Sequence, residues 1–354
     1  MTHELHRRRP ATVLAAAFAA TALLLAGCSA PTGGTAAPIE QVNIGYFPNL
    51  THAPGLIADA EGDFAERFGK LNLKVSTKSF NAGPDVIQAI LSGSLDISYI
   101  GPNPTVTAYI QSQGEGVRVI AGSTSGGAFL VVKPEITSAA QLKGRKLASP
   151  QLGNTQDIAL RYWLTKQGLT ASEDGGGDVS ILPQANSAAV QSFSTGAIDG
   201  AWVPEPYASK LVAAGGKVLV DEKTLWPDGK FVTTNVIART AFVQQHPEAV
   251  RAFLDAHLDA LEEITKDPEE ARAAVAGQIQ KITGQETTAA SLAASWKNLD
   301  FTADPLAGTL RQSAEHAAAV GLLPNKPSDD FAKLWDLAIL DEALAARGQQ
   351  KVGA

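Results

Sequence analysis

Short apolar runs alternate with amphipathic stretches through the first two thirds of the chain. The strand-like runs form two series, which occupy residues 41–46, 74–80, 97–100 and 117–121, then 128–132, 146–149, 179–182, 200–203, 217–221 and 231–238. Stretches with helical periodicity lie between them, at residues 54–68, 84–91, 154–167, 186–194 and 206–213. Strands that alternate with helices of this length are typical of βαβ units and predict parallel sheets. Residues 246–346 are rich in Ala, Leu, Glu and Lys and predict several helices.

The two series share a short internal likeness. Residues 93–99 and 196–202 each begin with a Gly that is followed by Asp three positions later and by an aromatic residue six positions later. Chance similarity between two ordinary turns is the alternative, but we interpret the likeness as support for two similar α/β lobes. The chain is expected to cross between the lobes near residues 123–125 and 228–233. The expected domains are lobe 1 at residues 41–124, lobe 2 at residues 125–228, and a return to lobe 1 with C-terminal helices at residues 229–354.

The start of the chain has the order of a bacterial lipoprotein leader. A basic segment at residues 6–9 is followed by an uncharged apolar stretch at residues 11–25 and by Leu25-Ala26-Gly27-Cys28. The apolar stretch is shorter than the roughly 20 residues that span a bilayer, and the order indicates a secretory signal that is cut before Cys28. We therefore expect a signal peptide at residues 1–27, a lipid on Cys28 and a flexible tether at residues 28–40. A plain signal peptide with an incidental cysteine is the alternative.

Composition and charge agree with an exported protein. The 354-residue chain has a formal net charge of −7, which disfavours general nucleic-acid binding because affinity for phosphate requires clustered Lys and Arg. It contains one cysteine, so a hydrophobic core rather than an internal disulfide must hold the fold. The expected location is the outer face of the cytoplasmic membrane.

The loops that follow the predicted strands have a common chemistry. They carry hydroxyls, amides, glycines and aromatic rings but no Lys or Arg, and they lie at residues 47–52, 101–104, 123–127, 151–157 and 202–206. In open α/β sheets, ligands bind beyond the carboxyl ends of the strands. Free N–H groups at helix starts, with hydroxyl and amide donors nearby, suit a small anion.

Several of these residues also have a simpler structural interpretation. Asn154 followed by Asp157 fits a helix cap, and His52 fits a hydrogen-bonding loop residue. Glu205 fits a solvated acid that favours a helix start, and residues 123–127 fit a flexible connector. Trp202 is the aromatic residue best placed to form the wall of a cleft.

Catalytic and metal-binding motifs are missing from the sequence. There is no nucleophile-elbow G-x-S-x-G, no H-E-x-x-H and no P-loop. The histidines after the leader, at positions 52, 246, 257 and 316, lack paired metal-ligand spacing. The sequence therefore predicts a binding protein with no catalytic residues, no metal and no cofactor.

The whole pattern resembles the periplasmic substrate-binding components of ABC importers, in the branch that binds aliphatic sulfonates, taurine and nitrate. The resemblance runs from about residue 42 to residue 345. It is carried by Gly45-Tyr-Phe-Pro, by Asn81-Ala-Gly through Gly93-Ser-Leu-Asp96, by SAAQLKGRKLA at residues 138–148, and by Trp202-Val-Pro-Glu205-Pro206-Tyr207.

The resemblance implies a type II periplasmic-binding-protein fold, with two lobes that are each a mostly parallel sheet flanked by helices and with a helical C-terminal region. It implies a monomer that closes on a small anion and delivers it to a membrane permease with a cytoplasmic ATPase. The implied contact residues are Asn49, Thr51, His52, Asn103, Ser123, Thr124, Ser125, Gly153, Asn154, Thr155, Trp202 and Glu205.

The ligand stays open at this point. An aliphatic sulfonate suits binding by dipoles and hydroxyls, and Glu205 would oppose a simple anion unless the ligand also carries an amine, as taurine does. Nitrate or bicarbonate is the alternative, and so is a thiamine-pyrimidine ligand held between Tyr46, Phe47 and Trp202. From other functional classes, a lipid-anchored hydrolase that uses His52 with Ser123 or Ser125, or a partner-recruiting surface lipoprotein, also remains open.

Overall fold

The computed structural model describes residues 39–323 and 331–353. The leader at residues 1–27, Cys28 and nearly all of the tether lie outside the described residues. Within the described part, no helix combines the length and apolar character needed to cross a membrane.

The described chain forms eleven strands and thirteen α-helices. The strands are β1 (Gln41–Tyr46), β2 (Lys74–Ser79), β3 (Ile97–Ile100), β4 (Val117–Gly126), β5 (Ala128–Val132), β6 (Lys146–Ser149), β7 (Ser180–Pro183), β8 (Gly200–Pro204), β9 (Lys217–Asp221), β10 (Val232–Arg239) and β11 (Leu299–Phe301). The helices are α1 (Ala53–Ala60), α2 (Asp63–Gly69), α3 (Gly83–Leu91), α4 (Pro102–Gln111), α5 (Thr155–Lys166), α6 (Asn186–Ser194), α7 (Tyr207–Ala213), α8 (Thr240–Gln245), α9 (Pro247–Lys266), α10 (Pro268–Thr283), α11 (Ala289–Trp296), α12 (Ala307–Ala319) and α13 (Ala338–Ala346).

The strands form two mixed sheets flanked by helices, which confirms the expected fold class. The first sheet has the order β11-β4-β10-β3-β1-β2 and the second has the order β7-β6-β8-β5-β9. In each sheet most strands run in one direction, and β1 pairs in parallel with β2 and β3, as β6 does with β7 and β8. The strands that run in the opposite direction are β10 and β11 in the first sheet and β5 in the second, where β5 pairs antiparallel with both β8 and β9. Strand β10 runs against its neighbours because the chain enters it on returning from the second sheet.

The chain passes from one sheet to the other at two adjacent glycines. Gly126 and Gly127 have φ values of 78° and 74°, a left-handed conformation that glycine adopts without steric strain. Strand β4 ends at Gly126, so the crossing predicted at residues 123–125 lies slightly too early. These three residues are still within β4, where Thr124 and Ser125 pair with both β10 and β11. The return passes through two short 3₁₀ turns, Glu222–Leu225 and Pro227–Gly229, before β10 begins.

Two other differences from the sequence prediction have local causes. The helix predicted at residues 54–68 is divided into α1 and α2 because Gly62 adopts a left-handed φ of 85° between them. The C-terminal region is helical, as predicted, but it also contributes β11, which is only three residues long and too short to produce a recognisable alternation.

Separate apolar cores cover the faces of the two sheets. The largest packs the first sheet against α1, α9, α10 and α13, with the Phe64 and Phe253 rings stacked at a centroid distance of 5.3 Å. The second sheet has one core against α5 and another against α6 and α7. These cores fix the strands, so that the loops at their carboxyl ends are held in place.

Candidate functional site

Five strand-to-helix junctions converge on one cavity. The junctions after β1, β2 and β3 belong to the first sheet, and the junctions after β6 and β7 belong to the second. The strands within each set run parallel, so their carboxyl ends meet at one edge of the sheet. The cavity is lined by Phe47, Asn49, Thr51, His52, Asn81, Gly101, Asn154, Thr155, Gln156, Asn186, Pro204, Thr233 and Thr234.

The cavity is small and lies between the two sheets. About 20 Å³ is open to the centre of a water-sized sphere, which corresponds to roughly one or two water positions. Hydrogen bonds join the two sides near the cavity. Gly83 N–H donates to Asn154 Oδ1 at 3.2 Å, Leu50 N–H donates to the Glu205 carbonyl oxygen at 2.9 Å, and the Tyr207 hydroxyl donates to the Pro48 carbonyl oxygen at 3.0 Å. A ligand in this cavity would be enclosed by both halves of the protein.

The helix starts at the cavity present backbone donors. At α1, α3, α4, α5 and α6, the residue before the first turn makes no capping hydrogen bond with its own side chain. First-turn N–H groups have no partner inside their helix. Each helix end also adds roughly 0.3–1 kcal/mol of attraction for a negative charge at an exposed site. Only α5 and α6 keep all of these donors, because α1, α3 and α4 each carry a proline at the helix start. The first N–H groups of α1 and α3 are also occupied, by the Leu50 carbonyl oxygen and by Asn154 Oδ1. The helix starts therefore suit an anion chiefly through α5 and α6.

The side chains that line the cavity are uncharged. Among the described residues that form its wall there is no Lys, Arg, Asp or Glu. Burial lowers the pKa of His52 to about 3, so its imidazole is neutral. His52 Nδ1 accepts a hydrogen bond from Phe47 N–H at 3.2 Å, which leaves the proton on Nε2. The cavity therefore offers neutral donors and no counter-ion.

A hydroxyl network holds the first loop in place. Thr51 Oγ1 donates to Asn49 Oδ1 at 2.7 Å and accepts from the Thr234 hydroxyl at 3.0 Å. Thr124 Oγ1 donates to the Thr51 carbonyl oxygen at 2.7 Å. Because Asn49 Oδ1 is occupied as an acceptor, its amide NH₂ is the group available to a ligand.

Two buried polar atoms at the cavity have no hydrogen-bond partner in the described part of the chain: Thr155 Oγ1 and Asn186 Oδ1. Thr155 is 5% exposed and Asn186 is 8% exposed. A buried polar atom without a partner costs about 1–3 kcal/mol, and native proteins rarely leave such atoms unsatisfied. Both atoms are therefore available to a ligand.

The structure brings some of the sequence-predicted site residues together at this cavity. They are Asn49, Thr51, His52, Asn154 and Thr155. They come from two loops that are about 100 positions apart in the sequence, at the starts of α1 and α5 on opposite sides of the cavity.

Other predicted residues lie near the cavity but are not part of its wall. Asn103 Nδ2 donates to the Ser313 carbonyl oxygen at 2.8 Å, within the α4–α12 packing. Ser123, Thr124 and Ser125 lie in β4, where Ser125 Oγ accepts from Phe231 N–H at 3.2 Å. Gly153 N–H donates to Asp157 Oδ2 at 3.0 Å. The cap predicted for Asn154 is wrong, since its side chain makes no capping hydrogen bond to α5.

The two predicted residues at the end of β8, Trp202 and Glu205, do not line the cavity. Trp202 is fully buried in the core of the second sheet, and its Nε1–H donates to Glu222 Oε2 at 2.8 Å. Glu205 accepts from Ser209 N–H and its hydroxyl, at 3.0 and 2.9 Å, and from Asn298 Nδ2 at 2.6 Å. The Glu205 carboxylate therefore anchors the start of α7, and its backbone carbonyl contacts Leu50.

The sequence interpretation missed several residues of the cavity wall. Asn81 and Asn186 follow β2 and β7, so the rule that selected Asn49 would have found them if it had been applied to every junction. Gln156 follows Thr155 in the first turn of α5. Thr233 and Thr234 lie inside β10, where no loop or helix start marks them.

The arrangement does not form the catalytic pair that a hydrolase using His52 with Ser123 or Ser125 would need. His52 Nδ1 is bonded to the Phe47 backbone, while Ser123 Oγ lies 3.4 Å from Thr124 Oγ1 and Ser125 bonds to Phe231, so neither serine is paired with the imidazole. Within residues 39–323 and 331–353, no group of three or more His, Cys, Asp and Glu side chains is placed to hold a metal ion.

Comparison with known proteins agrees with this architecture. The model of the NMT1-like family matches residues 35–280, which is more than half of the chain. The chain belongs to the NMT1-like family. This NMT1-like protein is 28% identical over 233 residues to the taurine-binding periplasmic protein of Escherichia coli, covering 65% of this chain and 69% of the relative. It is also 28% identical over 243 residues to the putative aliphatic sulfonates-binding protein of Bacillus subtilis, covering 66% and 69%.

Solved structures show the same fold. The alkanesulfonate-binding protein SsuA from Xanthomonas axonopodis pv. citri, bound to MOPS, aligns with a TM-score of 0.67 and 20% identity, covering 82% of the NMT1-like chain and 96% of SsuA. Nitrate and bicarbonate binders are also among the sequence relatives. The relatives are binding proteins rather than enzymes, and the resemblance to periplasmic binding proteins of the sulfonate, taurine and nitrate branch is confirmed.

Proposed function

We propose that this protein is the extracytoplasmic solute-binding component of an ABC importer, and that it captures an aliphatic sulfonate or taurine for a membrane permease with a cytoplasmic ATPase. The observation that carries the proposal is the convergence of five helix starts on a small cavity whose wall has no charged side chains. A sulfonate spreads one negative charge over three oxygens, each of which accepts hydrogen bonds from neutral donors.

The other ligands are less well supported, though to different degrees. Nitrate or bicarbonate remains the second candidate because the cavity is small, with about 20 Å³ open to the centre of a water-sized sphere. A pyrimidine held between rings is disfavoured, since only Phe47 of the three proposed rings lines the cavity. Tyr46 instead donates to Asp59 at 2.6 Å, and Trp202 lies in the second core.

Calorimetry of the wild-type protein and a Thr155→Val variant tests the proposal. Short alkanesulfonates or taurine should give saturable binding to the wild type. The variant removes a hydroxyl donor but preserves the side-chain shape, so affinity should fall about ten- to a hundredfold, as for a lost hydrogen bond to a charged group.

The control is Thr165→Val, which makes the same change at an exposed position of the same helix and should bind like the wild type. Heat from nitrate but none from any sulfonate would rule out the sulfonate assignment. Equal affinities of the Thr155 and Thr165 variants would remove Thr155 from the site.

The two halves are proposed to act as lobes of a monomer. Residues 41–124 with 229–354 would form one lobe and residues 125–228 the other. The paired glycines 126 and 127 support this proposal, because a few connecting residues absorb the dihedral changes of hinge closure.

Membrane attachment is proposed to occur through a lipid on Cys28, which lies outside the described residues. Replacing Cys28 with Ser should prevent acylation and release the protein from the membrane fraction, because the thiol is the acceptor of the lipid. Metabolic labelling with a fatty acid, followed by fractionation, measures both effects. A Cys28→Ser protein that is still labelled and membrane-bound would contradict the proposal.

A further inference from the structure

A second small compartment adjoins the cavity. It is lined by Phe47, Pro48, Asn49, Asn81, Ala185, Asn186, Ser187, Tyr207 and Thr283, and about 30 Å³ of it is open to the centre of a water-sized sphere. Phe47, Asn49, Asn81 and Asn186 line both spaces. We name the first cavity the inner compartment and this one the outer compartment. Their four shared residues make them neighbouring parts of one site.

The outer compartment has a different character from the inner one. Besides the residues after β1 and β2, its wall comes from the start of α6, the start of α7 and the end of α10. It lacks the starts of α4 and α5, which line the inner compartment. Two of its hydroxyls are already occupied: Tyr207 donates to the Pro48 carbonyl oxygen at 3.0 Å and Thr283 donates to the Ile279 carbonyl oxygen at 2.8 Å. None of the residues that form its described wall is charged.

Asn186 stands at the boundary of the two compartments with an unsatisfied acceptor. Its side chain is more than nine-tenths buried, and its Oδ1 has no partner in the described chain. An anion supplies only acceptors, so the head of the ligand cannot satisfy this oxygen. A donor elsewhere on the ligand can.

We propose that the outer compartment is a subsite for a short ligand tail that ends in a hydrogen-bond donor, and that Asn186 Oδ1 accepts this hydrogen bond. The inference rests on the proposed function and narrows it to sulfonates that carry a hydroxyl or an ammonium group on a short chain. The inner compartment then holds the sulfonate head, and the two compartments together match a small head-and-tail ligand better than a compact ion.

Calorimetry with four probes separates head binding from tail binding. Methanesulfonate has the head alone, propanesulfonate has an apolar tail, and isethionate and taurine have tails of similar length that end in a hydroxyl and an ammonium group. Isethionate or taurine should bind about tenfold more tightly than propanesulfonate, because only a donor satisfies Asn186. Whichever of isethionate and taurine binds more tightly identifies the donor as a hydroxyl or an ammonium group.

Two variants test the proposed roles of Asn186 and Ser187 in the outer compartment. Asn186→Leu replaces the amide with an apolar group of similar size and should abolish the preference for donor-bearing tails over propanesulfonate. Ser187→Leu adds bulk at a position that lines only the outer compartment, so affinity for isethionate and taurine should fall about tenfold, with a smaller loss for methanesulfonate. Gln191→Leu is the matched control, an exposed amide on the same helix, and should keep the wild-type ranking.

The outcomes distinguish the subsite from the proposed function. If propanesulfonate and methanesulfonate bind the wild type as tightly as isethionate and taurine, the subsite is refuted while sulfonate binding stands. If no sulfonate binds and nitrate does, the proposed function fails, and the subsite fails with it.

Discussion

A Gly101→Ala variant is expected to lose about ten- to a hundredfold in ligand affinity while it keeps its fold. Gly101 precedes α4 on the side of the first sheet, and Thr155 begins α5 on the side of the second. A Cβ atom at position 101 would lie 2.1 Å from Thr155 Oγ1 and 3.2 Å from Thr155 Cβ. Overpacking of this kind costs roughly 1–3 kcal/mol, and the two halves can relieve it by separating.

The local backbone permits the substitution. Gly101 has φ −73° and ψ 162°, an extended conformation that alanine adopts readily. Thermal unfolding without ligand should therefore be close to that of the wild type, while calorimetry shows the loss of affinity and small-angle scattering shows no compaction on addition of ligand. Gly308→Ala, at an α12 glycine with no atom within 4 Å of the added Cβ, is the control. Wild-type affinity in Gly101→Ala would mean that the cleft does not close as described.

Ligand affinity is expected to fall as the pH drops from about 6.5 towards 4, because of His316. This residue lies on α12 and its ring stacks on Tyr162 of α5, with centroids 3.8 Å apart and an interplanar angle of 14°. The Trp226 ring also lies against His316, at a centroid distance of 5.1 Å and an interplanar angle of 45°. The stack bridges helices on the two sides of the cleft, so separation of the lobes would expose it.

The pKa of His316 sets the pH range. Burial, with a smaller contribution from the charge of Lys166, lowers it from 6.5 to about 4. A lowered histidine pKa means that the closed structure favours the neutral imidazole. The contribution of His316 to closure is therefore complete above pH 6.5 and is lost as the pH falls towards 4. Within this range the ligand affinity should fall by at most about tenfold for each pH unit. Glu222 lines a separate cavity beside His316, and burial raises its pKa to about 7. Its hydrogen-bond partner Trp202 lies on the same side of the cleft, so opening of the cleft leaves that hydrogen bond in place.

A His316→Phe variant separates this effect from other titrations. Phenylalanine keeps a ring for the stack but cannot be protonated, so the affinity of the variant should vary less with pH. His52 is the second buried histidine near the cleft and should account for the pH dependence that remains, since burial also lowers its pKa, to about 3. Calorimetry at pH 7, 6 and 5 compares the two proteins. Parallel pH profiles would exclude a role for His316.

Periodicity predicted most of the fold because buried strands and amphipathic helices leave local patterns. The starts of α1 and α5 were found because polar loops after apolar strands are visible in the sequence, and this placed Asn49 and Thr155 in the candidate site. The same local signal wrongly placed Trp202 and Glu205 in the candidate site. Trp202 lies near the end of β8 and Glu205 follows that strand, as ligand contacts would. Only tertiary packing shows that Trp202 is hydrogen-bonded to Glu222, and Glu205 to Ser209 and Asn298.

Other parts of the site have no local signal. Thr234 lies within a buried strand, and its importance arises from a hydroxyl contact to Thr51, 183 positions earlier. Strand β4 looked shorter in the sequence because its second half, Gly122–Gly126, is polar or small. Those residues are buried by pairing with β10 and β11, and β11 itself could not be predicted.

The neutral wall of the inner compartment has a consequence for competition among anions. A doubly charged ion such as sulfate or hydrogen phosphate loses far more hydration energy on entry than a singly charged one, because the hydration energy of an ion rises with the square of its charge. A site with Arg or Lys would return much of that energy as ion pairing, but neutral donors and helix starts return only a part. We therefore expect the cavity to exclude the abundant divalent oxyanions by their charge rather than by their size.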